Sequence, residues 1–587
     1  MRQPTSSDPS PHQRHGSTKS RGGCLTCKAR RVKCDETQPQ CHRCRKARLT
    51  CKGYSEPAPK VAAAGFVHYV VDVDNSLNHL PDIDQRERRA LVVFHQSIGP
   101  ELARSFAWAL WARDIPLVAV HHDATRHAVI ALSTVYEQYF LALHQAHAGI
   151  SVFALEQYSK ALCGTMKLTL RHSAETVEVA LLNCLLFAAI ENLQGHYRSA
   201  MTHMDSGLGI LAEYYDAKTD TYPEVYVPRV HFRQAFVRIE SQRLEMGDMG
   251  YGQAAPHLVK CVRRIPAAFQ SLTQATLAMN VLVNRTLLFM QDIEASSIYL
   301  SDGEWRVALV LQRRRELLSR FEAWCHALNN MQPDNTNNVG SLALLEFYRT
   351  YLGILLRVDL RGGQVGFEAL EKEFQDMVIL ASLFISSVST ILPGYKPPQK
   401  RIEVTVHSYE GVEHVPEPRQ CPGAWLGISP DSTPVAGCDW AATLPEPRLK
   451  RPATPLLPRP GDFYKPSYSV GLSIIEPLLT VCIRCRNPRI RQQALQLLKM
   501  CNRKEGIWDS LITATVAERM IELEDSQGAD AHSDGGTTRF LIANMQAFYV
   551  DSGRAVVYYA KEYIADSAAL SQEEPRYQPY VQERWAF

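Results

Sequence analysis

Six cysteines near the N-terminus are the residues of this chain whose type and spacing could do chemistry. They follow the pattern C-x2-C-x6-C-x6-C-x2-C-x6-C, in which each half is C-x2-C-x6-C, and they are Cys24, Cys27, Cys34, Cys41, Cys44 and Cys51. Thiolates are soft ligands that bind Zn2+ tetrahedrally at roughly 2.3 Å. Six ligands are too many for one zinc and too few for two independent four-cysteine sites. We therefore expect two Zn2+ ions per chain that share two bridging cysteines.

Basic side chains lie between the cysteines and beside them. Those that we expect to contact DNA are Lys28, Arg30, Arg31, Lys33, Arg45, Lys46 and Arg48. Six thiolates outweigh the charge of two zinc ions, so the metal core itself does not attract a phosphate backbone. The side chains must therefore supply the sequence-independent part of the affinity for double-stranded DNA.

The stretch from Arg21 to Tyr54, RGGCLTCKARRVKCDETQPQCHRCRKARLTCKGY, resembles the DNA-binding domain of the fungal binuclear zinc cluster transcription factors. The resemblance covers the six ligands, their spacing, the basic run from Lys28 to Lys33 and Pro39. The segments 126–132, 181–211 and 485–510 resemble the helical regulatory region of regulators of this type in filamentous fungi. These later motifs imply a shared helical fold and do not indicate a chemical function.

The resemblance implies roles for particular residues. The first and fourth cysteines of the family bridge the metals, so Cys24 and Cys41 should belong to both zinc sites. The family's helix after the second cysteine reads a CGG-type triplet in the major groove, and its base-reading position falls on Arg31. The family more often has lysine there, but arginine can also bind guanine O6 and N7 in a bidentate manner. Arg30 and Lys33 match positions that help hold this helix in the groove or touch phosphate.

Charge and length indicate a small basic module on a larger body. Residues 1–52 hold 13 Lys and Arg against 3 Asp and Glu, whereas the whole chain of 587 residues has a net charge of only +3. A basic end on a mildly acidic remainder is typical of a nucleic-acid-binding module joined to a non-binding region. The first 20 residues contain no apolar stretch, so we expect no secretory signal, no membrane partner and reduced cysteines.

The pattern along the chain predicts a mainly α-helical protein with a small two-zinc module at its N-terminus. Residues 1–18 are expected to be a disordered tail, 19–53 the zinc cluster domain and 54–84 a linker. Apolar residues at three- and four-residue spacing then predict a helical regulatory domain over 85–390. Residues 391–470 hold 15 of the 33 prolines, which predicts an irregular connection with a short strand near 401–407. A C-terminal helical region is predicted over 471–587, with Arg539–Ala565 as its last helical stretch.

These features favour a nuclear, sequence-specific transcription factor that is not an enzyme and that could control a secondary-metabolite gene cluster. One alternative is a repressor or a co-regulator that acts mainly through protein partners, and transcription machinery or co-regulators are expected partners in either case. A second alternative is an enzyme with a fused zinc module, although we find no phosphate-binding loop, dinucleotide fingerprint or nucleophile elbow. No heptad run follows Cys51, so the sequence leaves monomer and homodimer open.

Two further groups resemble metal ligands. His42 lies between Cys41 and Cys44, but six cysteines already complete two zinc sites, so we expect it to be exposed. Cys482 and Cys485 have the spacing of half a zinc site without a second pair nearby, so we expect them to be helix residues that bind no metal.

Overall fold

The computed structural model divides the chain into two compact units, Met1–Tyr69 and Val70–Phe587. It describes residues 24–30, 32–37, 40–51, 80, 83–103, 109–142, 151–169, 173–215, 224–245, 264–296, 303–332, 339–358, 366–392, 403–407, 445–471, 474–530, 538–551, 554–565 and 581–586. The predicted tail at 1–18 and most of the predicted linker at 54–84 lie outside these residues.

The first unit contains two short helices around the cysteines. They are α1 (Leu25–Ala29) and α2 (His42–Lys46), and each begins directly after the first cysteine of a C-x2-C pair. The buried interior of this unit consists of cysteines, with Val32 and Cys51 packed against them. An interior of this composition has too little apolar surface to hold a fold by hydrophobic burial alone.

The second unit is mainly helical. Its α-helices are α3 (Gln85–Val93), α4 (Gly99–Ala103), α5 (Ile115–His121), α6 (Asp123–Ala142), α7 (Val152–Thr169), α8 (Ala174–Gln194), α9 (Tyr197–Tyr215), α10 (Arg229–Glu245), α11 (Leu272–Ser296), α12 (Gly303–Asn329), α13 (Val339–Arg357), α14 (Glu371–Val388), α15 (Ile475–Arg484), α16 (Pro488–Cys501) and α17 (Ser510–Asp530). Two π-helical turns lie at Phe94–Ile98 and Leu110–Asp114. The predicted mainly α-helical fold is therefore confirmed.

Local capping signals start two of these helices. Asp84 accepts a hydrogen bond from the backbone N–H of Glu87 at 2.7 Å, and the Glu87 side chain accepts one from the Asp84 N–H. Ser173 and Thr176 form the same reciprocal arrangement at the start of α8. Each capping box satisfies backbone donors that have no partner within the helix, so these starts are encoded within four residues of sequence.

Helix α8 lies at the centre of the body, as its nearly continuous apolar sequence predicts. Every residue from Thr176 to Leu193 is buried. Helices α8 and α13 are long and apolar enough to cross a membrane, but their most apolar windows are 100% and 83% buried within the protein. Such burial is that of core helices, because neighbouring helices rather than lipid cover their apolar surface.

The described part of the body also contains nine strands. They are β1 (Ile391–Leu392), β2 (Glu403–His407), β3 (Phe463–Tyr464), β4 (Ser467–Ser469), β5 (Arg503–Glu505), β6 (Trp508–Asp509), β7 (Thr538–Asp551), β8 (Arg554–Ala565) and β9 (Val581–Ala586). Strands β1 and β3 pair antiparallel, β4 pairs parallel to β5, and β5 pairs antiparallel to β6. The remaining four form an antiparallel sheet in the order β2-β9-β8-β7.

The predicted helix over Arg539–Ala565 is wrong, and the C-terminal region beyond α17 is a sheet. Val557 and Tyr559 are both buried, two residues apart on β8. In a strand, side chains two residues apart share one face, so a run of β-branched and aromatic residues can bury alternate positions. The apolar spacing of this run fits both periods, and the run pairs as a strand with its neighbour β7 and with the distant β9.

The predicted irregular connection, 391–470, is described only at 391–392, 403–407 and 445–470. Residues 445–462 form no helix or strand, in agreement with their proline content. This irregular stretch is tied to α13, because the N–H of Arg448 donates to Glu346 at 2.8 Å. Helices α15, α16 and α17 then join the same hydrophobic core as the helices before the connection.

Candidate metal centre and nucleic-acid interface

The six N-terminal cysteines form two sets of four sulfur atoms that share two members. One set is Cys24, Cys27, Cys34 and Cys41, the other is Cys24, Cys41, Cys44 and Cys51, and within each set the sulfurs lie within 4.8 Å of one another. The Sγ atom of Cys24 lies 3.7 Å from that of Cys41 and 3.7 Å from that of Cys44. Two sulfurs bound tetrahedrally at roughly 2.3 Å from one zinc lie about 3.8 Å apart. The donor set therefore fits two zinc ions that share two thiolates.

The first cysteine of each C-x2-C pair accepts the same kind of hydrogen bond at the start of a helix. The backbone N–H of Cys27 donates to the Sγ of Cys24 at 3.3 Å, and the N–H of Cys44 donates to the Sγ of Cys41 at 3.3 Å. Because the helix starts at this point, its first N–H groups are free to bind an acceptor that carries negative charge. Both shared sulfurs thus lie at the start of a short helix.

Burial and hydrogen bonding act in opposite directions on these thiols. Burial raises the pKa of Cys24 to about 12 in the metal-free protein. Burial also favours the neutral thiol of Cys34, but the N–H groups of Cys24 and Glu36 donate to its sulfur and bring its pKa to about 7. A thiol must lose its proton to bind zinc, so metal binding releases protons and stabilises the thiolates that burial disfavours.

Asp35 holds the loop between the halves to the second helix, a role that we did not predict from the sequence. Its carboxylate accepts hydrogen bonds from the N–H of His42 at 2.8 Å, the N–H of Arg43 at 3.0 Å and the hydroxyl of Thr37 at 2.6 Å. The Thr37 hydroxyl and these N–H groups hold the pKa of Asp35 well below its usual range. A short acidic residue two positions before a threonine is the local signal that could have indicated this loop.

Two further hydrogen bonds join the halves of the module. The Thr26 hydroxyl donates to the carbonyl of Thr50 at 3.1 Å, and the Arg43 guanidinium donates to the carbonyl of Lys33 at 2.9 Å. Arg43 therefore links α2 to the first half of the module through the carbonyl of Lys33. Leu49 takes no part in the interior and is 43% exposed, because the cysteines themselves fill the interior.

Five of the seven basic residues predicted to contact DNA are described with their side chains, and all five are exposed. They are Arg30, Lys33, Arg45, Lys46 and Arg48. The guanidinium of Arg45 donates to Nδ1 of His42 at 2.8 Å, which restricts its direction. Arg31, Pro39 and the side chain of Lys28 lie outside the described residues. The DNA contacts therefore stay predictions.

The structure separates the cysteine cluster from the other residues that resemble ligands. His42 is exposed and belongs to neither sulfur set. Cys482 lies in α15 and Cys485 directly after it, and both are buried in the core of the body. Among the described residues, neither of them belongs to a group of side chains that could hold a metal ion.

Comparison with known proteins agrees with this geometry. Residues 22–61 match the fungal Zn(2)-Cys(6) binuclear cluster domain. The chain is 26% identical over 556 residues to the aspercryptin biosynthesis cluster-specific transcription regulator atnN of Emericella nidulans. This alignment covers 88% of this chain and 89% of the relative. Over 87 residues it is 40% identical to pestheic acid cluster transcriptional regulator 3 of Pestalotiopsis fici, covering 14% of this chain and 15% of the relative. No solved structure matches the chain significantly.

Proposed function

We propose that this chain, which belongs to the fungal Zn(2)-Cys(6) binuclear cluster transcription regulators, acts in the nucleus and recognises CGG-type triplets in the promoters of a biosynthetic gene cluster. Two relatives named as regulators of such clusters support the last part, and one of them aligns with most of this chain. The helical body would then regulate the DNA-binding module or recruit partners. We propose no catalytic role for it.

The observation that carries this proposal is the pair of four-sulfur sets inside a basic segment. Zinc at these sets would hold α1 and α2 in place, because the module has little apolar core of its own. The exposed cations on and around the helices would then face the phosphate backbone with fixed spacing. This arrangement suits DNA binding better than structural support within a larger domain, because the module forms its own unit.

We propose that the basic residues have two roles: some contact base edges or position the helix in the major groove, and others contact the phosphate backbone. Arg31 would meet a base edge in the major groove, and Arg30 and Lys33 beside it would help hold the helix there or contact phosphate. Lys46 and Arg45 follow the second C-x2-C pair and would contact phosphate. A bidentate arginine–guanine pair contributes sequence discrimination, whereas a phosphate contact contributes affinity for every sequence alike.

Titration of two duplexes, one with a CGG triplet and one scrambled, at two salt concentrations tests this division. Arg31→Ala should lower discrimination between the duplexes by roughly 1–3 kcal/mol. Lys46→Ala should weaken binding to both duplexes and reduce the salt slope by about 1 while it leaves their affinity ratio nearly intact. Arg31→Lys is the matched control, since lysine keeps the charge and can also contact guanine, and it should retain most of the discrimination.

The result that contradicts this assignment is an unchanged affinity ratio in Arg31→Ala. The base-reading role would then pass to Lys28 or Lys33. Zinc content measured on each variant separates loss of a contact from loss of the folded module. If the unsubstituted protein binds both duplexes equally, the CGG proposal itself fails.

Promoter occupancy and reporter activity address the regulatory part. Genome-wide mapping of binding sites should place the protein at promoters of one biosynthetic cluster, with CGG triplets enriched under the peaks. A reporter with these triplets would show whether the chain activates or represses. Occupancy without CGG enrichment would favour the alternative in which protein partners bring the chain to its targets.

A further inference from the structure

Helix α7 exposes large apolar side chains along one of its sides. Val152 is 71% exposed, Leu155 is 56% exposed and Met166 is 70% exposed. Among the large apolar residues that the structure describes, Val152 and Met166 are the most exposed. Single exposed apolar residues are ordinary in soluble proteins, whereas a row of them on one helix is typical of a contact surface. The exposed side of α7 therefore indicates a binding partner.

The exposed side of α7 has the spacing of a coiled-coil seam. Val152, Leu155, Ser159, Leu162 and Met166 alternate in steps of three and four residues. At 100° per residue, these five positions lie within about 80° of arc on the helix. Ser159 is exposed and Leu162 is half-buried, while the opposite side of the helix packs into the body. We call these five positions the outer face of α7.

One flank of the outer face carries charged side chains, and the other flank is formed by its leucines. Glu156, Lys160 and Lys167 are exposed and lie together on the charged flank. The ammonium of Lys160 lies 3.9 Å from the carboxylate of Glu87 in α3, and the Lys160 side chain remains 53% exposed. The charged flank thus presents both signs of charge to a partner, beside an apolar seam.

We propose that the outer face of α7 binds the same face of a second copy of this chain, with the two helices antiparallel about a two-fold axis at Ser159. Residues at equal distances on either side of the axis then face each other, so Val152 meets Met166 of the second copy. Leu155 lies beside Leu162 of the second copy for the same reason. The apolar residues of each copy thereby cover those of the other, and the small serine lies where the two backbones are closest.

The charged flank determines the direction of the two helices. In a parallel pair, the charged flank of one copy would face the apolar flank of the other, whereas an antiparallel pair places the two charged flanks together. Glu156 precedes Ser159 by three residues and Lys160 follows it by one. At 1.5 Å per residue, Glu156 of one copy then lies about 3 Å along the helix axis from Lys160 of the other. Such rim pairs select the orientation more than they add affinity.

The size of the outer face predicts a weak dimer. It extends over about 21 Å of helix, from Val152 to Met166. Stable interfaces bury about 800 Å² per partner, which is more than one helix face of this length supplies. We therefore expect a dissociation constant in the range of about 1–100 μM.

A dimer of the body would carry two DNA-binding modules. Binding of both modules to one DNA molecule would make the contact between the two copies intramolecular and would strengthen it. This consequence rests on the proposed function, whereas the contact between the two outer faces does not. The dimer is therefore tested in the absence of DNA.

Sedimentation equilibrium of the zinc-loaded full-length protein measures the dimer. Between about 1 and 100 μM, the mean mass should rise from that of one chain toward that of two. Leu155→Glu places a carboxylate in the apolar seam on each side of the axis and should raise the dissociation constant roughly tenfold or more. Val230→Glu makes the corresponding change at an exposed apolar residue of α10, and this control should dimerise like the unsubstituted protein.

Disulfide formation locates the two-fold axis. Packed helices lie about 8–10 Å apart, so facing Cα atoms lie roughly 4–6 Å apart, which a disulfide can span. Ser159→Cys in a Cys163→Ser background should therefore give a covalent dimer on mild oxidation. Lys167→Cys in the same background is the matched control, because this exposed residue lies eight positions from the axis. Its two copies would lie about 24 Å apart along the helices and should not form a disulfide.

Three results would overturn the proposal. A mass of one chain at every concentration up to about 100 μM would show that a different partner, or another part of this chain, covers the outer face. Equal dissociation constants for Leu155→Glu and the unsubstituted protein would place the contact between copies elsewhere. Equal covalent dimer from Ser159→Cys and Lys167→Cys would contradict the antiparallel arrangement about Ser159. Circular dichroism of each variant verifies that the body remains helical, and none of these measurements depends on CGG recognition.

Discussion

The sulfur atoms of Cys24 and Cys41 lie 3.7 Å apart, and each of the two belongs to both four-sulfur sets. The other four cysteines belong to one set each. Loss of a shared sulfur therefore removes a ligand from both metals, whereas loss of an unshared sulfur removes a ligand from one. This asymmetry between chemically identical side chains distinguishes a bridged pair of zinc ions from two separate sites.

Cys24→Ala and Cys41→Ala should be more harmful than Cys27→Ala. We expect two zinc ions per chain in the unsubstituted protein, loss of both in the first two variants and partial retention in the third. Structural zinc in small domains contributes on the order of 10 kcal/mol of folding free energy, so the fold of the module should follow the metal content. Metal analysis of the purified proteins, with circular dichroism of the module before and after chelation, measures both quantities. One zinc per unsubstituted chain would contradict the bridged arrangement.

Asp35→Asn should accelerate zinc loss. The carboxylate of Asp35 accepts two backbone N–H groups at the start of α2 and the Thr37 hydroxyl, and an amide replaces one acceptor oxygen by a donor. Glu36→Gln removes the same charge from the neighbouring residue and serves as the control. The rate of zinc transfer to a chromogenic chelator measures the effect. Equal rates in the two variants would contradict a specific role of the Asp35 hydrogen bonds to α2 in zinc retention.

Two glycines of α9 should respond oppositely to alanine. A Cβ at Gly207 would overlap the ring of Phe236 and approach the Cβ of Cys184 to 3.1 Å, whereas a Cβ at Gly209 meets nothing within 4 Å. Gly207→Ala should therefore destabilise the body by roughly 1–3 kcal/mol through overpacking. Gly209→Ala should stabilise it by roughly 0.5–1 kcal/mol, because alanine favours the helix. Chemical unfolding of both variants measures the two changes in stability. Destabilisation by both would contradict an α9 whose Gly207 faces the core and whose Gly209 faces open space.

Glu476 should make the body less stable as the pH rises. Burial, followed by the charge of Glu245, raises the pKa of Glu476 from its ordinary value of 4.5 to about 8. The unfolded chain then releases this proton at lower pH than the folded chain, so the free energy of unfolding falls between about pH 4.5 and 8 and levels off above this range. Below pH 4.5 both states hold the proton, and this contribution is fully present.

Glu476→Gln should remove that part of the pH dependence, because glutamine cannot ionise and can still accept a hydrogen bond from Tyr351. Denaturant midpoints measured at several pH values compare the variant with the unsubstituted protein. The exposed Glu156→Gln controls for the loss of one carboxylate. Parallel profiles for Glu476→Gln and the unsubstituted protein would show that Glu476 ionises similarly in both the folded and unfolded states.

Features whose cause lies within a few residues can be predicted from the sequence. The capping box at Asp84 and Glu87 needs four consecutive positions, and the buried helix around Asn183 is evident from an apolar run of more than three turns. The six-cysteine pattern belongs to the same class, because metal-ligand spacing is a local geometric requirement. The strands β7 and β8 were missed since their apolar residues suit either period, and neither the hairpin that they form nor the pairing of β8 with the distant β9 is evident from that pattern.

The amino-acid sequence by itself determined the zinc ligands, the basic segment and most of the helices, because ligand spacing, charge density and helical periodicity act over short distances along the chain. Only the tertiary structure decided that Asp35 would clamp α2, that Arg238 would meet Glu245 and Gly471, and that Trp111 and Asn280 would line one pocket. The last two residues are separated by well over a hundred positions, and the packing of whole helices brings them together. No local pattern encodes such a meeting, because it depends on the combined shape of every element between them.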